Sequence, residues 1–328
     1  MHCIVIKETG GPEVLTYELR PRPVAGVGQV LIRVVSAGVN RPDVAQRKGH
    51  YPPPPWAPQD IPGLEVAGMI EAVGQGCVRI KVGDAVCALV SGGGYAEYVV
   101  AEEGHCLTVP DGLSLEASGG LPESTFTVFH NVFERGVLRD GEAILIQGGA
   151  SGIGVMAIQM ARALGATVLV TAGSEAKCRR CEELGAHLAV DYKNQSFREE
   201  VLRYTAGRGV DVVLDMIGGP YLHDHLEILR EDGRLIMINF MGGSQAQLSL
   251  LPILRKRLTI SGSTLRSRSN EFKAELAKSI SGKVWPMVTS GQIRPVTDSV
   301  FPFSKAADAH RKMESGTHFG KILLVPEK

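Results

Sequence analysis

The run Gly149-Ala150-Ser151-Gly152-Ile153-Gly154 stands between an apolar stretch, Ala143-Ile144-Leu145-Ile146-Gln147, and an apolar-periodic segment reaching Leu164. Strand, glycine turn and helix in that order open a βαβ unit. The glycines permit a tight turn and close approach of backbone to a pyrophosphate, and the helix N-terminus offers free N–H groups to the anion. The usual middle glycine is replaced by Ser151, whose hydroxyl can itself donate to a phosphate. Beyond the turn, strands are expected at 167–171, 188–191, 210–216 and 235–239, and helices at 175–184, 197–204 and 221–229. Alternation at this spacing predicts an α/β domain, a doubly wound parallel sheet of Rossmann type with helices on both faces, and 258–262 supplies a sixth strand.

Before residue 121 the rhythm is different. Segments 29–35, 66–73 and 84–89 are short, β-branched and bounded by glycines, which predicts an irregular β-rich domain. Pro52-Pro53-Pro54-Pro55 belongs to neither a helix nor a central strand, so it marks a stiff exposed loop. The tail is mixed, with helices near 271–281 and 305–314 and a last strand at 321–325. The expected organisation is a β-rich domain over 1–121, completed by 266–328, and a nucleotide-binding domain over 122–265.

Charge excludes several classes of function. Lys plus Arg and Asp plus Glu each number 35, so there is no basic field for nucleic acid and no basic amphipathic stretch for a membrane surface. No apolar run approaches the roughly 18 residues of a membrane span, and no secretory signal is read at the N-terminus. The six cysteines are scattered, which suits reduced thiols and a cytoplasmic location. Cys178-Arg179-Arg180-Cys181 has the C-x-x-C spelling but no second pair at zinc-finger spacing. His223 and His225 alternate and are expected to face solvent. No metal site is expected.

The dinucleotide is expected to be NADPH. NAD sites place an acid about 20 residues past the glycines to hold the ribose 2′-hydroxyl. No Asp or Glu follows Gly154 until Glu175, and the second strand ends in Thr171-Ala172-Gly173-Ser174. Small residues leave room for a 2′-phosphate, and Lys177, with Arg179, Arg180 and Tyr192 nearby, can neutralise it. The alternative is a Lys177 that is simply solvated, and Glu175 is the residue that speaks against NADPH.

Further motifs extend along the whole chain: Gly38-Val39-Asn40-Arg41-Pro42-Asp43, Gly49-His50-Tyr51-Pro52-Pro53-Pro54, Pro62-Gly63-Leu64-Glu65-Val66-Ala67-Gly68, Gly92-Gly93-Gly94-Tyr95-Ala96-Glu97, Gly141-Glu142 and Gly320-Lys321. Together with the glycine turn, Gln159 and Arg162, they make the chain resemble the medium-chain dehydrogenase/reductase superfamily, in its zinc-free quinone oxidoreductase (zeta-crystallin-like) branch. The resemblance implies a GroES-like catalytic domain beside the Rossmann domain. Zinc alcohol dehydrogenases of the superfamily carry Cys where Asn40 stands and His where Leu64 stands, together with a four-cysteine lobe missing from this sequence. Without a Lewis acid, alcohol oxidation is disfavoured, and hydride transfer to an acceptor that is already electrophilic remains.

Carried over position by position, the resemblance implies that Asn40 and Thr127 hold the nicotinamide end and border the substrate, and that Tyr51 lines the substrate slot. It assigns Gly173, Ser174, Lys177 and Tyr192 to the 2′-phosphate pocket. It places Phe240-Met241-Gly242-Gly243 and Ser263-Thr264-Leu265-Arg266 near the nicotinamide ribose and carboxamide. The plain alternatives are a turn-capping Asn40 and a Tyr51 that packs on the proline run. The expected activity is quinone reduction, with Tyr51 or a water delivering the proton. Reduction of conjugated alkenals, alkenones or enoyl thioesters, and non-catalytic NADPH binding, are the rivals. A homodimer joined through the edge strand 258–262 is implied as well.

Overall fold

Six strands lie side by side, all parallel, in the order Leu188–Asp191, Thr167–Ala172, Ala143–Ile146, Val210–Asp215, Leu229–Met237, Thr259–Gly262. They belong to a computed structural model that describes residues 1–327 and divides into two units, 127–265 and 1–126 with the segment from 266 onward. Val, Ile and Leu side chains of the central strands are buried on both faces, as a sheet covered on each side by helices requires. Helix Gly152–Leu164 follows the first of these strands. Ser151 caps it by accepting a hydrogen bond from the Gly154 N–H, and Gly165, at φ 94°, closes it. Strand order reverses between Ala143–Ile146 and Val210–Asp215, which creates a crevice at the carboxyl ends of those two strands.

The strand expected at 235–239 is observed as Leu229–Met237. Glu231-Asp232-Gly233 interrupts it without ending it. Asp232 takes φ 58°, and the register against Val210–Asp215 shifts between Val210 and Val212. The turn chemistry is a bulge inside a strand.

The other unit is built on a seven-stranded sheet in the order Thr297–Pro302, Lys321–Val325, Gln29–Val39, Glu65–Val73, Ala85–Leu89, Cys106–Thr108, with Tyr98–Glu102 also paired to Gln29–Val39. All pairings are antiparallel except that of Thr297–Pro302 with Lys321–Val325. Buried Val30, Ile32, Val34, Val66, Ile70, Val86, Ile322 and Leu324 form its core with Tyr95 and Phe303. Ile322 faces Val39 across the strand pair, and this register delivers Lys321 to Asn40, where helix Arg41–Arg47 begins. Residues 52–55 take no regular structure, and Trp56 beside them is exposed.

Candidate active site

In the unit of residues 127–265 the glycine turn is a cradle of backbone. A Cβ on Gly154 would lie 2.3 Å from the Gly148 carbonyl oxygen and 2.5 Å from that of Gly149, so only glycine lets the helix start pack on the turn. The N–H groups of Gly152 and Ile153 have no acceptor within the helix, and the positive end of its dipole faces the crevice. Ala150 is buried beside them. The Ser151 oxygen is occupied as the cap, and its hydroxyl lies 3.9 Å from the Met216 sulfur. Gly148 accepts no such load: its N–H donates to Thr171 Oγ1 at 3.1 Å, and Thr171 donates to Gln147 Oε1 at 2.6 Å.

The second strand ends in a turn suited to an extra phosphate. Ser174 caps helix Glu175–Glu183 by accepting from the Lys177 N–H. The Tyr192 hydroxyl lies 3.0 Å from where a Gly173 Cβ would be, which brings Gly173, Ser174, Lys177 and Tyr192 to one corner. Lys177 is half-buried. Glu175 is turned outward, its side chain 81% exposed and paired with Arg179 at 2.5 Å along the same helix. The acid that opposed NADPH is thus directed along the surface of its helix. The residues present fit a phosphorylated adenosine.

Phe240, Met241 and Gly242 are tied to the loop after Val210–Asp215, with the Met241 N–H on the Met216 carbonyl at 3.0 Å and the Gly242 N–H on that of Ile217 at 2.8 Å. Phe240 and Met241 are about half exposed. Thr264 is exposed and Leu265 buried. Thr127 accepts from Asn131 Nδ2 at 2.9 Å through its carbonyl, and the chain then widens into a π-helix, Phe129–Arg135. Asn131 also accepts from the Ser263 hydroxyl at 2.7 Å. Such widened turns are frequent at functional sites.

His225 departs from expectation. It is fully buried, not solvent-facing: its Nε2 is 2.9 Å from Gln147 Nε2, and Asp215 is 3.7 Å from its Nδ1. Helix Leu222–Ile228 packs on the sheet, and the alternation with His223 turns His225 inward. Burial holds its imidazole neutral, pushed down to about 3. Cys178 and Cys181 are buried free thiols, and Cys181 Sγ packs 3.2 Å from the Cβ position of Gly149. They are packing groups.

In the other unit Asn40 is both helix cap and something more. Its N–H donates to Asp43 Oδ2 at 2.8 Å, the backbone half of a cap. Its side chain turns away: Nδ2 donates to Glu65 Oε1 at 2.8 Å, and Oδ1 accepts from Lys321 Nζ at 2.6 Å. Lys321 also contacts Glu65 at 2.5 Å, and the Glu123 N–H donates to Glu65 Oε2 at 2.9 Å. Glu65 fits because Gly38 has no Cβ; one would lie 2.0 Å from the carboxylate. Burial raises Asp43 to about 6, against hydrogen bonds from Asn40 and Tyr95. Leu64, buried next to Glu65, has no donor atom. At these two positions the Asn40 amide is held by an ammonium, and the neighbouring side chain is hydrocarbon. Among the described residues no three His, Cys, Asp or Glu side chains converge as a metal set.

Tyr51 stands over the Arg266 guanidinium, 5.6 Å from ring centre to Cζ. Arg266 is buried and held by the Ser91 carbonyl and Gln46 Oε1, both at 2.8 Å, which puts its side chain in the unit of Tyr51. Burial raises the Tyr51 phenol above its usual range, Glu123 adds to the rise and Arg266 opposes it. Glu65, Lys321 and Glu123 had no assigned role in the sequence. Glu65 and Lys321 were legible as members of the motifs that carry the family resemblance, each a charge at the head of an apolar strand, Glu65 before Val66-Ala67-Gly68 and Lys321 before Ile322-Leu323-Leu324.

Residues 152–281 match the family described as zinc-binding dehydrogenase, and residues 26–111 match the alcohol dehydrogenase GroES-like domain. The chain is 32% identical to a quinone oxidoreductase of Rattus norvegicus over 330 residues, 99% of this chain and 98% of the rat protein. It is 31% identical to the quinone oxidoreductase of Homo sapiens over 99% and 98%. The synaptic vesicle membrane protein VAT-1 homolog of Rattus norvegicus is 29% identical, over 99% of this chain and 84% of that protein. Among solved structures, Escherichia coli quinone oxidoreductase complexed with NADPH superposes with a TM-score of 0.90 at 25% identity, covering 99% and 100%. An NAD-dependent alcohol dehydrogenase superposes at 0.89 with 31% identity, covering all of both chains.

Proposed function

The chain belongs to the quinone oxidoreductase (zeta-crystallin-like) branch of the medium-chain dehydrogenase/reductase superfamily and is an oxidoreductase whose cofactor is NADPH; from that premise we propose that it reduces quinones without a metal. When bound, NADPH supplies a hydride from C4 of its nicotinamide. The glycine turn and the N-terminus of helix Gly152–Leu164 receive the pyrophosphate, and Gly173, Ser174, Lys177 and Tyr192 receive the 2′-phosphate. Phe240, Met241, Gly242, Thr264 and Leu265 would border the nicotinamide ribose and Thr127 its ring, and Asn40 is given the same role by the family resemblance alone. Tyr51, over Arg266, lines the acceptor slot.

The observation that carries this reading is the contact of Lys321 with Asn40 and Glu65. An ammonium and a leucine stand where a Lewis acid would need ligands, so the acceptor must bring its own electrophilicity. Orientation of hydride donor and acceptor then supplies much of the rate. The second reading, reduction of α,β-unsaturated carbonyls, uses the same hydride step and is favoured over alcohol oxidation by the same observation.

The experiment is a turnover panel of quinones, enones and alcohols, with NADPH and NADH, before and after chelation. Quinone-dependent oxidation of NADPH that survives a chelator is expected. Alcohol oxidation, or activity lost to a chelator and restored by zinc, would overturn the reading. Assembly as a homodimer through the strand Thr259–Gly262 is part of the proposal. Its support is that this strand ends its sheet with half-buried and exposed residues. A cytoplasmic location is proposed from the six free cysteines.

A further inference from the structure

A chain of buried polar groups runs beneath the glycine turn, wholly within residues 127–265. Gln147, Asp215 and His225 are 0% exposed and Thr171 is 1% exposed. At one end the Gly148 N–H donates to Thr171 Oγ1 at 3.1 Å, and the Gly149 N–H to the Thr171 carbonyl at 2.8 Å. Thr171 gives its own proton to Gln147 Oε1 at 2.6 Å. The amide nitrogen of Gln147 is then the atom that meets His225 Nε2, at 2.9 Å, and it can only donate. His225 Nε2 is therefore bare, and the ring proton sits on Nδ1. At the other end Asp215 accepts the Ile217 N–H at 2.7 Å and the Gly218 N–H at 3.1 Å. Its Oδ2 faces Nδ1 at 3.7 Å, beyond hydrogen-bond length but close enough for a carboxylate to favour an N–H over a lone pair. Both sides of the ring thus select one tautomer. Phe197 and Tyr221 pack on the imidazole, with centroids 5.6 and 6.1 Å away.

We propose that His225 is a positioning residue for the cofactor, the neutral link that holds the glycine turn and the loop 240–243 in one mutual register while touching neither nucleotide nor substrate. This rests on the nucleotide reading above. The backbone ladder between Ala143–Ile146 and Val210–Asp215 ends where the Gln147 N–H meets the Leu214 carbonyl at 3.0 Å. Beyond that rung the two turns are tied through side chains. The turn at 216–219 passes the register on, because the Met241 and Gly242 N–H groups donate to the Met216 and Ile217 carbonyls and the Gly219 N–H to that of Gly243 at 2.8 Å. A cradle for the pyrophosphate and a wall for the nicotinamide ribose are thereby joined by one imidazole. Without an acceptor at Nε2 the Gln147 amide is a buried donor with no partner, and its turn toward Thr171 would compete with the Gly148 N–H.

His225→Leu removes both ring nitrogens, Gln147→Met removes the amide, and the double variant removes both; circular dichroism and urea unfolding check that each folds. Long-range ¹⁵N–¹H spectra of histidine-labelled wild type are expected to show one imidazole, identified by its loss in His225→Leu, protonated at Nδ1 and bare at Nε2. Calorimetry is expected to show the Kd for NADPH raised roughly tenfold in each single variant, the size of a buried donor left without a partner. The double variant should lose no more than either single one, as members of one network do. His225→Gln, which puts an acceptor back near the Nε2 position, should regain part of the affinity. Adenosine 2′-monophosphate, which reaches only the corner of Gly173, Ser174, Lys177 and Tyr192, should bind every variant as it binds wild type. A proton on Nε2, equal weakening of both ligands, additive losses, or unchanged NADPH binding would each overturn the proposal. Wild-type protein that binds neither ligand would bring down the nucleotide reading and the positioning role with it. The tautomer is read without any ligand, so the two failures are told apart.

Discussion

Lys321 Nζ lies 2.5 Å from Glu65 Oε1, with the two side chains 7% and 0% exposed, joining positions 256 residues apart in sequence. A buried ion pair contributes little relative to a hydrocarbon pair of the same shape, but removal of one partner strands the other. Lys321→Met is therefore expected to cost about 3–5 kcal/mol in urea unfolding. Adding Glu65→Gln is expected to recover part of it. A single variant as stable as wild type would show that Glu65 finds another partner or solvent.

Lys177 governs cofactor choice if the corner of Gly173, Ser174 and Tyr192 takes the 2′-phosphate. Loss of one charge-assisted contact is worth about 1.5–3 kcal/mol, or roughly 10- to 100-fold in affinity. Lys177→Ala is expected to weaken NADPH binding by that factor in calorimetry and to leave NADH unchanged. Equal weakening of both nucleotides would remove Lys177 from the phosphate pocket.

Gly154 is expected to tolerate no side chain. The methyl of Gly154→Ala would meet the Gly148 and Gly149 carbonyls at 2.3 and 2.5 Å, and backbone has nowhere to yield without opening the turn. Nucleotide affinity should drop by more than about tenfold. Intact binding would mean that the turn relaxes at little cost.

Two buried histidines are expected to steepen the acid limb of stability. His225 and His310 are each pushed down to about 3, by burial first, with Arg47 also lowering His310. In the unfolded chain they titrate near 6.5. Between those values the unfolded state binds protons that the folded state refuses, so stability is present above pH 6.5 and falls as pH drops toward 3. The slope is about 1.4 kcal/mol per pH unit for each histidine. His225→Gln, measured by urea unfolding across pH 4–7, should flatten it. An unchanged slope would place the acid sensitivity elsewhere.

What the sequence made legible was whatever repeats locally. Alternating apolar strands and periodic helices carried the parallel sheet, because each segment announces its own period. The glycine turn was legible because Gly149, Gly152 and Gly154 fall within six residues between a strand and a helix. Boundaries slipped where a local signal had two structural solutions, as at Asp232, where turn chemistry became a bulge within Leu229–Met237. The polar contacts of the site were mostly hidden. Nothing near Asn40 announces Lys321, 281 residues away, and nothing near Gln147 announces His225. Those meetings are set by strand register and helix packing, which single-sequence periodicity does not encode. Glu123 was hidden for another reason: it follows Pro122 in an ordinary helix start, and only the crowding of carboxyls around it makes it unusual.

The strand Lys321–Val325 lies beside Gln29–Val39, so the sheet that holds Asn40 is assembled from segments on either side of residues 127–265. A ribosome emits residues 127–265 as one unbroken length, and that unit has all its strands in hand as soon as it emerges. The earlier-made portion must wait until residues 127–265 and the segment after them have been made before the strand Lys321–Val325 arrives. Until then Gln29–Val39 has an open flank, and Glu65 lacks the ammonium that faces it in the finished sheet.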